Sequence, residues 1–231
     1  MTIIAMFPLG SVLVPGAVLP LHVFEPRYRQ LVQDCLESSE HEFGVTLIER
    51  GHEVGGGDFR SMVGTMARVV QVAELADGRY ALVTVGTRRI RVRSWLPDDP
   101  YPMADVDDWP DDDWADDDLA DDDESSNDLG EQIEASFSRV RRLNALASEL
   151  GLEAVDVMAT ISDDPLTATY ELTNLAPIGP SDRQRLLEAA GPRQRLSLLT
   201  EALGDVEALL QFRLQHPSSG TGGDSSDFRQ S

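Results

Sequence analysis

Ile3-Ile4-Ala5-Met6-Phe7-Pro8-Leu9-Gly10, Val12-Leu13-Val14-Pro15-Gly16 and Leu19-Pro20-Leu21-His22-Val23-Phe24-Glu25-Pro26-Arg27-Tyr28 open the chain. Apolar, partly β-branched runs broken by Pro and Gly read as short strands. Pro26 then starts a helix, because its missing N–H is one that the first turn leaves unbonded anyway. That helix is expected to run to about Ser38, with Tyr28, Leu31, Cys35 and Leu36 on its apolar face.

Further strands follow. Phe43 to Glu49 is apolar, Gly51 to Asp58 holds Gly55-Gly56-Gly57 and reads as a flexible loop, and Met62 to Leu75 is apolar again. Ala76-Asp77-Gly78-Arg79 then separates Met62–Leu75 from Tyr80–Val85. Asp-Gly predicts a two-residue hairpin turn with φ > 0 at both positions. In Thr87 to Trp95, Ile90 and Val92 alternate with Arg89, Arg91 and Arg93, the pattern of a half-exposed strand. Tyr101 to Val106 is the last strand. Six or more short strands with one helix predict a closed or nearly closed β-barrel-like domain over residues 1–108.

The chain has 231 residues and a formal charge of -22, unevenly spread. Residues 98 to 128 hold fifteen Asp and one Glu with no basic residue, which leaves the remainder only mildly acidic. Within them Asp111-Asp112-Asp113-Trp114-Ala115 repeats with a period of five as Asp116-Asp117-Asp118-Leu119-Ala120. Five residues advance a helix by about 140°, so Trp109, Trp114 and Leu119 share no face. Neighbouring carboxylates lie within the ~8 Å Debye length and repel. Residues 109–127 are therefore expected to be an acidic, solvated, disordered linker. Trp109 and Trp114 make it a candidate acidic-aromatic interaction segment for a basic partner. A calcium loop started at Asp113 would put Asp118 where the sharp turn needs Gly.

Residues 128–215 are helical by pattern. Asp128 with Glu131 suggests a capping box, and Gly151 a stop. A second helix is expected over about Leu152 to Ile161, a third from Pro165, a fourth capped by Ser181 with Gln184, and a last from Pro192. The expected arrangement is a C-terminal helix bundle. Residues 216–231 are Ser-, Gly- and Asp-rich and read as a disordered tail.

Composition removes several chemistries. All nineteen basic residues are Arg. With no Lys, neither a phosphate-binding Gly-Lys-Ser/Thr loop nor a Ser–Lys catalytic pair can be built. His22, His41, His52 and His216 lack the spacing of a zinc site, so no metal and no cofactor is expected. Cys35 is the one cysteine, which excludes an internal disulfide. No run approaches the ~20 apolar residues of a membrane span, and no basic leader precedes an apolar core. The expectation is a cytoplasmic protein with no membrane partner and of undetermined oligomeric state.

The opening block resembles the start of the N-terminal, substrate-binding domain of Lon proteases. Val63-Gly64-Thr65-Met66-Ala67-Arg68-Val69 is similar to that family's G-T-x-A-x-I strand. Asp77-Gly78, Val85-Gly86-Thr87-Arg88-Arg89-Ile90 and Pro100-Tyr101 follow in the family's order, as do Arg185-Leu186-Leu187-Glu188 and Arg195-Leu196. The resemblance implies an α+β fold, a PUA-like pseudo-β-barrel with one helix followed by helices. It implies a non-enzymatic module binding unfolded or tagged protein segments, serving as an adaptor for a protease or chaperone. Phe24, Arg27 and Tyr28, at the strand-to-helix junction, are the candidate protein-binding residues. The alternative is RNA binding through the barrel, with Arg88, Arg89, Arg91 and Arg93 as a basic strip. The charge of -22 opposes it, because nucleic-acid affinity draws mainly on phosphate neutralisation.

Overall fold

A computed structural model describes residues 2–50, 59–112, 123–152, 154, 155 and 160–216. Six strands and five helices follow one another as β1 (Thr2–Leu9), β2 (Val18–Val23), α1 (Pro26–Glu37), β3 (Glu42–Arg50), β4 (Phe59–Glu74), β5 (Tyr80–Trp95), β6 (Met103–Asp108), α2 (Asp123–Glu149), α3 (Pro165–Leu175), α4 (Pro180–Leu187) and α5 (Pro192–Gln215). The class is α+β, as the sequence implies. The Gly-rich loop, Trp114, the rest of the acidic repeat and the C-terminal tail lie outside the described residues.

The sheet runs β2-β5-β4-β3-β1-β6, and a β5–β6 pairing closes five of the strands into a ring. β5 makes this possible by its length. Tyr80–Val85 pairs with β2, and Ile90–Trp95 pairs with β6 along the same edge. Strand β2 therefore lies outside the ring. Tyr80 and Leu82 point inward on the first half of β5, and Ile90 and Val92 on the second. Gly86 sits between the halves, where a Cβ would overlap the carbonyl oxygen of Val14. Only glycine lets the segment before β2 cross the strand at that point.

The β4–β5 turn departs from the two-residue form. Gly78 alone has positive φ, +76°, and its N–H donates to Leu75 O at 2.8 Å. Asp77 keeps negative φ because its carboxylate accepts from the Arg79 N–H and Nε.

Helix α1 lies over the barrel. Tyr28, Leu31, Val32 and Cys35 are buried, and the Tyr28 ring stacks on Phe7 at 4.2 Å. Burial pushes the Cys35 thiol up to about 11, so it is a packed thiol rather than a nucleophile. Tyr101, beside the start of β6, donates to Asp34 at 2.6 Å and ties that strand to α1.

Helices α2 to α5 pack around a second core that includes Leu129, Val140, Leu143, Leu172, Leu186, Leu199 and Leu203. Three expectations change here. Helix α2 starts at Asp123, so Asp128 is interior and accepts from Gln132 instead of capping. Leu152, Ala154, Val155, Thr160 and Ile161 are not helical. Asn144 explains part of this, since its Oδ1 holds the Val155 N–H at 3.0 Å. Helix α4 is capped by Gly179 with Pro180 in its first turn. Gln184 is drawn away, donating to Ser61 Oγ at 2.8 Å and Val63 O at 3.2 Å on β4.

The two halves meet at a buried polar node. Arg195 is fully buried, with its guanidinium 3.8 Å from the Tyr170 ring centroid. It donates to Leu186 O, Thr169 Oγ1 and the Asp111 carboxylate. Asp111 also accepts from the Tyr170 hydroxyl at 2.5 Å and pairs with Arg89 at 3.4 Å. Arg89, on β5, reaches Leu187 O, Ala189 O and Pro110 O. Asp111, at the start of the acidic segment, is thus folded in and not solvated. Asp112 continues the anchorage with its N–H on Ala190 O at 2.8 Å.

Removing one partner of a buried ion pair strands the other charge, at about 3–5 kcal/mol. Asp111→Ala should therefore lower unfolding free energy in urea by about 3 kcal/mol or more. Asp182→Ala, which breaks an exposed pair with Arg185, should stay within about 0.5 kcal/mol. Equal losses in the two variants would refute the node's structural role.

Candidate functional site: a seam and an uncharged strip beside β2

Two observations fix which way the backbone of β2 points. Gly86 N–H donates to Ala17 O at 2.9 Å, and Thr84 Oγ1 donates to Leu19 O at 3.0 Å. Odd-numbered residues thus face β5, and by alternation Val18, Pro20 and His22 turn their backbone groups to the other edge. Among the described residues no strand pairs there.

On β1, Met6 N–H donates to Pro102 O at 2.8 Å, so even-numbered residues face the β6 side. On β1, strand β6 pairs with Thr2–Ala5. The next outward position, Pro8, lies beyond its end.

Between these two edges is a groove of about 190 Å³, lined by Phe7, Pro8 and Leu9 of β1 and by Pro20 to Glu25, with Tyr28 beside it. Consecutive residues of both strands line it, which marks strand edges rather than faces. The outward positions include Pro8 and Pro20, and proline has no N–H to give. Each proline removes one donor from its edge, and among the described residues β1 and β2 do not pair across the seam.

The side chains outside β2 continue the site. Val18 is 63% exposed and Phe24 57%, with Pro20 and His22 exposed between them. Across the register stand Val85, Val83 and Ala81 of β5, half-buried. None of these positions carries a charge, in a chain of net charge -22. Val70, at a β4 bulge, is 57% exposed on the adjoining strand.

The three candidate contact residues part company here. Phe24 is exposed. Arg27 is half-buried and held, its Nε 3.1 Å from Glu25 Oε2 and its guanidinium 4.5 Å from the Tyr28 ring centroid. Tyr28, on the apolar face of α1, is buried on Phe7 and shapes the groove from within, so it offers a client no exposed side chain.

The arginines of β5 also differ from the expected strip. Arg88 pairs with Glu42 and Asp108, Arg93 with Asp107, and Arg89 is buried. Trp109 is half-buried, with the Arg89 and Arg91 guanidiniums 4.4 and 3.9 Å from its ring centroid. Its basic partner is thus its own chain, through cation–π contact. A second cleft, about 360 Å³, lies beside this stack and the Asp111 node.

No group of three or more His, Cys, Asp or Glu among the described residues is placed to hold a metal. Among them, no helix is long and apolar enough to cross a membrane. Sequence reading missed Pro8 and Pro20 as edge guards, and Asp111 and Arg195 as a pair. The prolines were legible in the opening block, but their meaning needed the pairing. Asp111 carried no signal, being one Asp in a run.

A ring of strands with an outlying edge strand, one covering helix and a helical half define a protein of the Lon N-terminal class. A family model described as the ATP-dependent protease La (LON) substrate-binding domain matches residues 3–205, and the chain belongs to that family. It is 24% identical over 215 residues to a LON peptidase N-terminal domain and RING finger protein of Schizosaccharomyces pombe, with 84% of this chain and 43% of that protein covered. It is 28% identical over 208 residues to Lon protease 2 of Sorangium cellulosum, covering 88% of this chain and 24% of that protein. The chain thus spans less than half the length of these relatives. Among solved structures, a Lon N-terminal domain protein from Xanthomonas campestris is 29% identical with a TM-score of 0.59, covering 87% of this chain and 98% of that one. The N-terminal domain of a Mycobacterium avium complex Lon protease shares the fold, with a TM-score of 0.60 at 16% identity and coverage of 88% and 99%.

The two aromatic candidates should separate on stability. Tyr28→Ala should cost about 3 kcal/mol or more, as a large core truncation. Phe24→Ala should change unfolding free energy by less than about 0.5 kcal/mol. Denaturant titration of both variants checks this, and a reversed order would overturn the assignment of surface and core.

Proposed function

We propose that this chain recognises unfolded or tagged segments of other proteins on the uncharged strip and groove beside β2, and performs no chemistry on them. The carrying observation is Phe24, exposed together with Val18 and Pro20 in a patch continuous with a groove. Exposed apolar surface of this kind marks interaction sites. Membership of a substrate-binding family supports the reading. On this reading the chain acts in the cytoplasm as an adaptor, presenting client segments to a protease or chaperone. ATP-dependent proteolysis belongs to the relatives that carry that name.

The RNA alternative, with its PUA-like barrel, draws no support from the arginines. Three of the four on β5 are neutralised by carboxylates or buried, and Arg91 lies on Trp109.

Binding of a permanently unfolded model protein, with its cysteines carboxymethylated, tests the proposal by fluorescence anisotropy. Phe24→Asp should weaken binding about tenfold or more, the effect of losing an aromatic anchor. Phe212→Asp, at an equally exposed Phe on α5, should leave it unchanged. Equal binding by the two variants would overturn the choice of site.

A further inference from the structure

We infer that a client segment enters the seam as an added β-strand, bonded through its backbone to the open edge of β2. The inference rests on the proposed client-binding role and specifies its mode and the class of segment taken.

Edge strands recruit strands, because each outward residue presents backbone groups with no partner. On β2 these are the N–H and C=O of Val18 and His22 and the C=O of Pro20. Among the described residues none of them meets another strand or a loop. Native edges of this kind are commonly blunted by charge or proline or covered by a helix or loop, and β2 carries one proline and no charge at these positions. Here the outward positions are Val, Pro and His. The groove runs along this edge and is lined by consecutive residues, so it follows the backbone rather than one side-chain pocket.

Pro20 sets the register. It accepts but cannot donate, so the client residue opposite it needs a free N–H and receives none in return. Beside it, His22 offers both groups, the exchange that an extended segment makes with an edge strand.

The occupant follows from charge and shape. Glu25, which lines the groove, is ion-paired with Arg27, so the charge that acts on a client is the -22 of the whole chain. Acidic segments are therefore repelled, and neutral or basic ones are drawn in. The side chains on either side of the edge are apolar: Phe7, Leu9 and Tyr28 inside, Val18 and Phe24 outside. The segment selected is thus extended, apolar or mildly basic, and free of proline where it crosses Pro20 and His22.

Two variants at one exposed position test the mode apart from the site. His22→Ala keeps the backbone donor, whereas His22→Pro removes it without touching the β5 pairing, since that N–H points away. Affinity is read by anisotropy with a fluorescein-labelled ten-residue peptide of alternating Val and Thr with one Arg. His22→Ala should bind within about twofold of wild type, and His22→Pro about fivefold to tenfold more weakly, the effect of one lost backbone hydrogen bond. Equal affinities of the two variants overturn strand addition while leaving the client-binding role intact. Failure of the wild type to bind this peptide or the unfolded model protein overturns both. Should His22→Pro not fold, peptides N-methylated at single positions serve with the wild type. Loss at alternate positions supports the inference, and a uniform response overturns it. The same peptide with Glu for Arg should bind more weakly at low salt than at high salt, and the reverse order overturns the charge selection.

Discussion

A guanidinium with no access to water governs this fold. Arg195 sits in the core of the helical half, and its charge must be met there. Its partner comes from the segment that leaves the barrel, where Asp111 accepts from it and from Tyr170 while facing Arg89 of β5. Barrel, connecting segment and helices are therefore bound through one carboxylate. A buried ion pair is a poor source of net stability, since desolvation offsets most of the attraction. Its effect is one of position. Any arrangement that separates the halves leaves charges buried and unpaired, so the relative placement of the two cores is specified.

That placement bears on the site. With Arg89 committed to Leu187 O and Ala189 O, the outer face of β5 is covered at that residue by the end of α4. The first half, beside β2, is not. Strand β6 takes the far end of the β5 edge, and β2 takes the near end. The ring therefore closes without β2, which keeps one edge for pairing and one edge without a strand. The prolines at 8 and 20 each remove one donor from the edges that border that gap.

Periodicity showed the strands and helices well, because apolar spacing and proline starts are local signals. Pro26, Pro165 and Pro192 each open a helix as expected. What was not legible depends on distant partners. Arg89 reads as the exposed side of an alternating strand, yet both faces of β5 are covered there. Gln184 reads as part of a cap, yet Ser61 and Val63 on β4 claim its amide. Asp111 reads as solvated, because carboxylate repulsion is local and the arginine that compensates it lies more than eighty residues away. Of the site, Phe24 was legible as a junction residue. Tyr28 reads as part of the apolar face of α1, and that face packs it on Phe7.

Arginine is the basic residue of this chain throughout, and the node shows what that permits. Arg195 binds three acceptors in different directions while lying flat on Tyr170, and Arg89 bridges three backbone carbonyls. An ammonium could neither stack in that way nor span those acceptors from one planar head. The guanidiniums on β5 are thereby spent inside the molecule or on neighbouring carboxylates. The outward positions of β2 carry neither sign of charge. Selectivity must then come from two sources, the backbone pattern of the open edge and the long-range field of the acidic chain around it. The first accepts any extended segment with a free N–H in register. The second sorts those segments by charge, and only screening by salt relaxes that sorting.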